Sequence, residues 1–161
     1  MKRKISKRKI LRALCLCLLP AMLIVSFIGC RKIEAVTAAE FQTAMEDLEY
    51  TVSDITKEYA QYNYIQKCVG FEDNGLHVEF FEIDTKDNAV GFYKTNKAAF
   101  ENKKSGVSTE TSVEIGSYCI YKLKTGDTYY VVEQVGKTAI YAYCPREGAS
   151  RLDDVIKAIK Y

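Results

Sequence analysis

YIQKCVGFEDNGLHVEFFEI, residues 64–83, reads as two strands folded back on each other. Tyr64 to Phe71 and Leu76 to Ile83 alternate in polarity, and Asn74-Gly75 between them is the strongest short-range signal for a two-residue hairpin turn. That turn sets the register. It pairs Phe71 with Val78, Val69 with Phe80 and Lys67 with Glu82 on one face. On the other face it pairs Glu72 with His77, Gly70 with Glu79 and Cys68 with Phe81. The first face is the more apolar, so it is expected to meet the core.

Working outward, helical spacing replaces alternation on both sides. Thr37-Ala38-Ala39-Glu40 has the form of a capping box, with Val36 and Phe41 at the staple positions. Phe41, Ala44, Met45 and Leu48 then share one helical face. After the hairpin, Asp84 or Thr85 caps a second helix that carries Ala89, Phe92, Tyr93, Asn96, Ala99 and Phe100. Lys103 to Gly106 end it, with cations suited to a helix C-terminus. Three strands come next, near Thr111 to Lys124, Asp127 to Val135 and Thr138 to Cys144, with turns at Thr125-Gly126 and Gly136-Lys137. Ser150 reads as the N-cap of a last helix striped with Leu152, Val155, Ile156 and Ile159. The expectation is an α+β fold in the order α-β-β-α-β-β-β-α. It has an antiparallel sheet of about five strands, with three helices packed mainly on one face.

The last three strands give two faces. One holds Ile115, Ser117, Cys119, Tyr121, Leu123, Tyr130, Val132, Gln134, Ala139, Tyr141 and Tyr143, carries no charge, and is expected to be the core face. The other is mixed, with Lys122 and Glu133 among apolar residues, as a half-solvated sheet should be. On it Tyr118, Ile120, Tyr129, Val131 and Ile140 make a contiguous aromatic and aliphatic patch. Tyrosine offers contact area with a polar tip, so this patch is the candidate binding face for an envelope protein or a carbohydrate.

The N-terminus carries a different message. Lys2, Arg3, Lys4, Lys7, Arg8, Lys9 and Arg12 precede an uncharged run from Ala13 to Gly29, broken by Pro20. That run is 17 residues, short of the roughly 20 a spanning helix needs. A basic start, an apolar middle and a small residue before the cut is the layout of a removable export signal. The stretch Phe27-Ile28-Gly29-Cys30 resembles the lipobox of bacterial lipoproteins, although Phe27 stands where that family prefers Leu. The resemblance covers only this segment. It implies a diacylglyceryl thioether on Cys30, cleavage between Gly29 and Cys30, and attachment to the outer face of the cell membrane. Residues 1–29 are then signal peptide, 30–36 a short tether and 37–161 a single domain.

Removing that signal changes the charge. Seven of the 23 Lys and Arg go with it, leaving 16 against 21 Asp and Glu, a net charge of −5. Phosphate repels such a domain, so nucleic acid is excluded as a partner. Membrane association rests on the lipid at Cys30 instead.

Chemistry is sparse. Cys68, Cys119 and Cys144 are odd in number and lack metal-ligand spacing, so neither a metal site nor a full set of disulfides is expected. Cys119 and Cys144 fall on opposite sheet faces, which argues against pairing them. His77, the single histidine, stands between Glu72 and Glu79 and reads as an exposed polar residue of a hairpin rather than a nucleophile's base. Glu72-Asp73, Asp84 with Asp87, and Asp153-Asp154 are the carboxylate pairs that a cell-surface hydrolase would need. No phosphate-binding glycine loop is present, and no cofactor or catalytic residue is assigned. The leading reading is a non-enzymatic binding module on a lipid anchor, and the alternative is a hydrolase using acidic residues.

Overall fold

The computed structural model describes residues 33–161. The segment read as a signal peptide, with Gly29 and Cys30, lies outside the described residues. Elements run in the order α1 (Ala38–Glu46), β1 (Ser53–Asp54), a 3-10 turn (Thr56–Tyr59), β2 (Ile65–Asp73), β3 (Leu76–Ile83), α2 (Lys86–Glu101), β4 (Thr109–Ile115), β5 (Tyr118–Thr125), β6 (Thr128–Val135), β7 (Thr138–Pro145), a second 3-10 turn (Arg146–Gly148) and α3 (Ala149–Ala158). The strands form one antiparallel sheet in the order β1-β2-β3-β7-β6-β5-β4. Two meanders therefore meet at β3 and β7.

The α+β class holds, with two corrections. The sheet has seven strands, not five. Ser53–Asp54 adds a short edge, and the run near Thr111 to Lys124 breaks into two strands at Gly116-Ser117, where Gly116 has φ +62°. Left-handed backbone is open to glycine without a Cβ penalty, so that residue turns the chain inside an otherwise continuous β pattern. The second correction concerns the layers. Helices cover both faces of the sheet. α1 and α3 pack with Val69, Phe71, Val78, Phe80, Val131, Ile140 and Ala142 on one side. On the other, α2 supplies Tyr93 and Phe100 against Tyr121, Leu123 and Val132, and Ala89 against Phe81 and Ala139.

The hairpin register is as the Asn74-Gly75 turn requires, with all six expected pairs present. Asn74 and Gly75 have φ +47° and +78°, the positive pair of a type I′ turn. The Gly136-Lys137 turn is also as read, with Val135 opposite Thr138. The preceding turn is Gly126-Asp127 rather than Thr125-Gly126, since Thr125 pairs with Thr128. This moves the pairing by two residues, so the side chains of β5 and β6 keep their faces; the turn at Gly116-Ser117 instead puts Ile115, expected in the core, opposite Tyr118, where it is exposed, and Glu114 opposite Cys119.

Capping obeys local chemistry. Thr37 and Glu40 form the capping box of α1, with Thr37 N donating to Glu40 Oε2 at 2.7 Å and Glu40 N to Thr37 Oγ1 at 3.2 Å. Thr85 caps α2 by accepting from Asn88 N. α3 departs from the reading: it starts at Ala149 after the second 3-10 turn, and Ser150 is already inside it. Under α1, Phe41 stacks on Phe80 with centroids 4.9 Å apart, and both rings are fully buried. Each such ring contributes about 1.5–3 kcal/mol relative to exposure.

Candidate functional site

The patch chosen from sequence does not lie open. Tyr129, Val131 and Ile140 are buried under α1 and α3, and Tyr118 and Ile120 are half-buried. The mixed pattern that suggested solvent has another origin. Glu133 is fully buried in that layer, with Lys122 Nζ 3.3 Å from its Oε1. A charge pair inside the core therefore mimics the polar alternation of an exposed face. Tyr129 donates to Asp153 of α3 at 2.9 Å, so its polar tip serves helix docking.

The opposite face gathers half-buried aromatic residues at its hairpin end. It is built first by the hairpin, which sets Glu72, His77 and Glu79 side by side across β2 and β3. His77 Nδ1 lies 2.7 Å from Glu72 Oε1, and Nε2 lies 3.2 Å from Glu79 Oε1. β7 then places Tyr143 beside His77 and Tyr141 beside Glu79. The Tyr143 ring stacks on the imidazole at 4.6 Å, and Tyr141 meets it edge-on at 6.2 Å.

A wall is added by the 3-10 turn. Thr56 Oγ1 accepts from Cys68 N at 3.0 Å, which pins the turn to β2. Gly70 makes room for it. A Cβ there would stand 2.6 Å from Val78 O and 3.2 Å from Ile55 Cδ1. Tyr59 is thereby delivered over the sheet, edge-on to Phe81, and its hydroxyl donates to Glu79 Oε1 at 2.6 Å. Phe92 and Asn96 of α2 close the other side. The result is a hollow of about 270 Å³ with aromatic walls and Glu79 in its lining. A second hollow, of about 430 Å³, lies at the hairpin tip and shares His77 and Tyr143 with the first.

Electrostatics here stem from the carboxylates. The hydrogen bond to Glu79 raises the His77 pKa above its ordinary value, burial opposes it, and Glu72 adds to the rise. Burial, with the Glu79 bond, drives the Tyr59 phenol well above its usual range, and burial first pushes Tyr141 up to about 12. Glu79 itself is 8% exposed. Its Oε1 takes both Tyr59 and His77. Oε2 has no hydrogen-bond partner among the described residues and is not sealed from solvent, and Glu79 lines the hollow.

His77 is therefore not the exposed polar residue that its place on a hairpin suggests; its side chain is 19% exposed and bridges two carboxylates. With both ring nitrogens facing carboxylates it is poorly placed to take a proton from a nucleophile. Cys68, on the same sheet face, is buried, and burial raises its thiol pKa, which disfavours the thiolate a nucleophile needs. Cys119 and Cys144 are likewise buried free thiols. The acidic pairs have structural duties. Asp84 accepts from Thr85 N and Asn88 Nδ2, Asp73 pairs with Arg151, Asp153 holds Tyr129 and Lys122, and Asp154 pairs with Lys157. Among the described residues no group of three or more His, Cys, Asp or Glu is arranged to hold a metal ion, and no helix is long and apolar enough to cross a membrane.

Sequence reasoning named His77, Glu72 and Glu79 but not the site they form. Gly70 was the available signal, since a glycine inside a strand marks the close approach of another backbone or side chain. No protein-family model, curated protein or solved structure matches the chain.

Proposed function

We propose that this chain is an exported lipoprotein, held at the outer face of the cell membrane by lipid on Cys30, and that its domain is a non-enzymatic binding module. The recognition site is the hollow around Glu79, His77, Tyr141 and Tyr143. One observation carries the site: a largely buried carboxylate, one of whose oxygens has no hydrogen-bond partner among the described residues, lines an aromatic-walled hollow. That oxygen is free to accept a hydrogen bond from a bound group. Apolar walls with a few convergent polar groups are the form of a binding pocket. The anchor is supported by the basic, apolar and Gly29-Cys30 sequence of the N-terminus and by the net acidity of residues 30–161.

The partner is an envelope protein or a carbohydrate, reached from the membrane surface. Pull-down from detergent-solubilised membranes, comparing wild type with the Glu79→Gln, Tyr143→Ala double variant, tests the site. Material captured by wild type and lost from the double variant is the expected result; identical capture removes the site. Mass spectrometry of the purified protein tests the anchor. An intact methionine end, or an unmodified Cys30 thiol, removes it.

A further inference from the structure

We infer that the hollow around Glu79 binds a primary ammonium group carried on an alkyl chain; this rests on the hollow being the recognition site. Three features point to that chemistry. The first is charge. Glu72, His77 and Glu79 sum to −1 with the ring protonated and −2 with it neutral, so the cluster is never positive. Glu72 is largely exposed and shared with water, whereas Glu79 is buried and shared with His77, so the cluster keeps a net negative charge beside the hollow.

The second is the wall. Tyr59, Tyr141, Tyr143 and Phe92 line the hollow together with the carboxylate, and aromatic faces attract a cation placed within about 6 Å of the ring centre. The same molecule uses this contact elsewhere: Lys124 Nζ stands 4.8 Å from the Tyr129 centroid, and Lys103 Nζ stands 5.6 Å from that of Tyr130. The third is size. About 270 Å³ falls below the roughly 300–1,000 Å³ of pockets that take drug-sized ligands, and it suits one side chain better than a run of sugar rings. An ammonium donates to Glu79 Oε2, the one oxygen not already taken by Tyr59 and His77, while its alkyl stem lies along the tyrosines.

The chain supplies its own reporter. His77 is the only histidine, so the full-length protein in detergent gives one set of imidazole ring-proton signals, from a ring 3.2 Å from Glu79. Titration at pH 7 uses N-acetyl-lysine methylamide, its neutral analogue N-acetyl-norleucine methylamide, glucosamine and maltose. The expected result is a saturable shift with the lysine probe, none with the norleucine probe, and affinity about tenfold or more weaker in Glu79→Gln. Saturation by glucosamine as well supports the same chemistry on an amine-bearing sugar as the source. Equal saturation by norleucine overturns the inference, because apolar contact alone then suffices. Saturation by maltose but not by the lysine probe also overturns it and leaves the hollow a binding site. If no probe shifts the ring and the double variant captures the same material as wild type, the inference and the reading beneath it both fall.

Discussion

Replacing Glu133 with methionine is expected to stabilise the protein. The carboxylate is fully buried on β6 beneath α3, and neither oxygen makes a hydrogen bond. Its nearest positive charge is Lys122 Nζ at 3.3 Å, which is itself partly exposed and lies 3.4 Å from Asp153. At an effective dielectric constant of about 20 that separation gives an attraction of about 5 kcal/mol. Withdrawing the two charges from water costs several kcal/mol each, so the pair contributes little or nothing net. Methionine fills a similar volume without charge and leaves Lys122 its contact with Asp153. The expected gain at pH 7 is about 1–3 kcal/mol in urea unfolding monitored by circular dichroism. The pH dependence gives a second handle. Burial raises the folded-state pKa of Glu133 above 4.5, with Lys122 opposing. The folded state then binds the proton more tightly than the unfolded state. Stability is therefore fully present below pH 4.5 and is lost as pH rises through the raised value. Glu133→Met should remove that decline. A variant less stable than wild type at pH 7, with the decline intact, would refute the argument and mean that Lys122 fully compensates the charge.

Three further outcomes rest on named contacts. The His77 pKa, read from its ring-proton signals, is expected above 6.5 and should fall in Glu79→Gln, because the bond to Glu79 is the largest cause of the rise; the stability this pairing adds is present below pH 6.5 and lost as pH rises through the folded value, and a pKa at or below 6.5 in wild type contradicts the geometry. Gly70→Ala should cost about 1–3 kcal/mol and speed amide exchange in residues 55–60, since the new Cβ would stand 2.6 Å from Val78 O and displace Ile55; unchanged stability would show that the 3-10 turn does not depend on the approach. Thr37→Ala should cost about 1 kcal/mol through loss of the capping box, and a cost near zero in urea unfolding would mean that water replaces the cap.

The hairpin was legible because its turn residues have only one comfortable backbone conformation, and that conformation dictates every pair up to the irregularity between Ile65 and Lys67. The sheet faces survived a misplaced turn for a related reason. Side chains alternate with period two, so an error of two residues at Gly126-Asp127 changes neighbours and not faces. What could not be read was which face is covered. Helical periodicity identifies the buried stripe of α2 but says nothing of the side of the sheet it crosses. The absence of charge rightly marked the face of Tyr121 and Val132 as core, yet the presence of Lys122 and Glu133 wrongly marked the other as solvated. The site lies just where that criterion is blind, since Glu72, His77 and Glu79 sit at one end of the face that is otherwise core.

That end is open for a geometric reason. β3 lies four strand spacings from β4, about 19 Å apart, and α2 with the short loop after it must join them. A helix of 16 residues is about 24 Å long, so it has little length left beyond the crossing. Strands of eight residues are about 27 Å long, while a helix covers a band only about 10 Å wide. α2 therefore runs as a diagonal. It starts where Ala89 meets Ile83 and Ala139, and the chain after it reaches Thr125, where Ser105 N donates to Thr125 Oγ1 at 2.9 Å. A diagonal strap leaves the corner at Glu72, His77 and Tyr143 uncovered. Aromatic residues there must either meet solvent or be roofed by something else. Tyr59, brought in over Gly70, roofs part of the corner, and the remainder is the hollow. The site is thus a consequence of the crossover that joins the two meanders, and its chemistry depends on what β3 and β7 place in the gap.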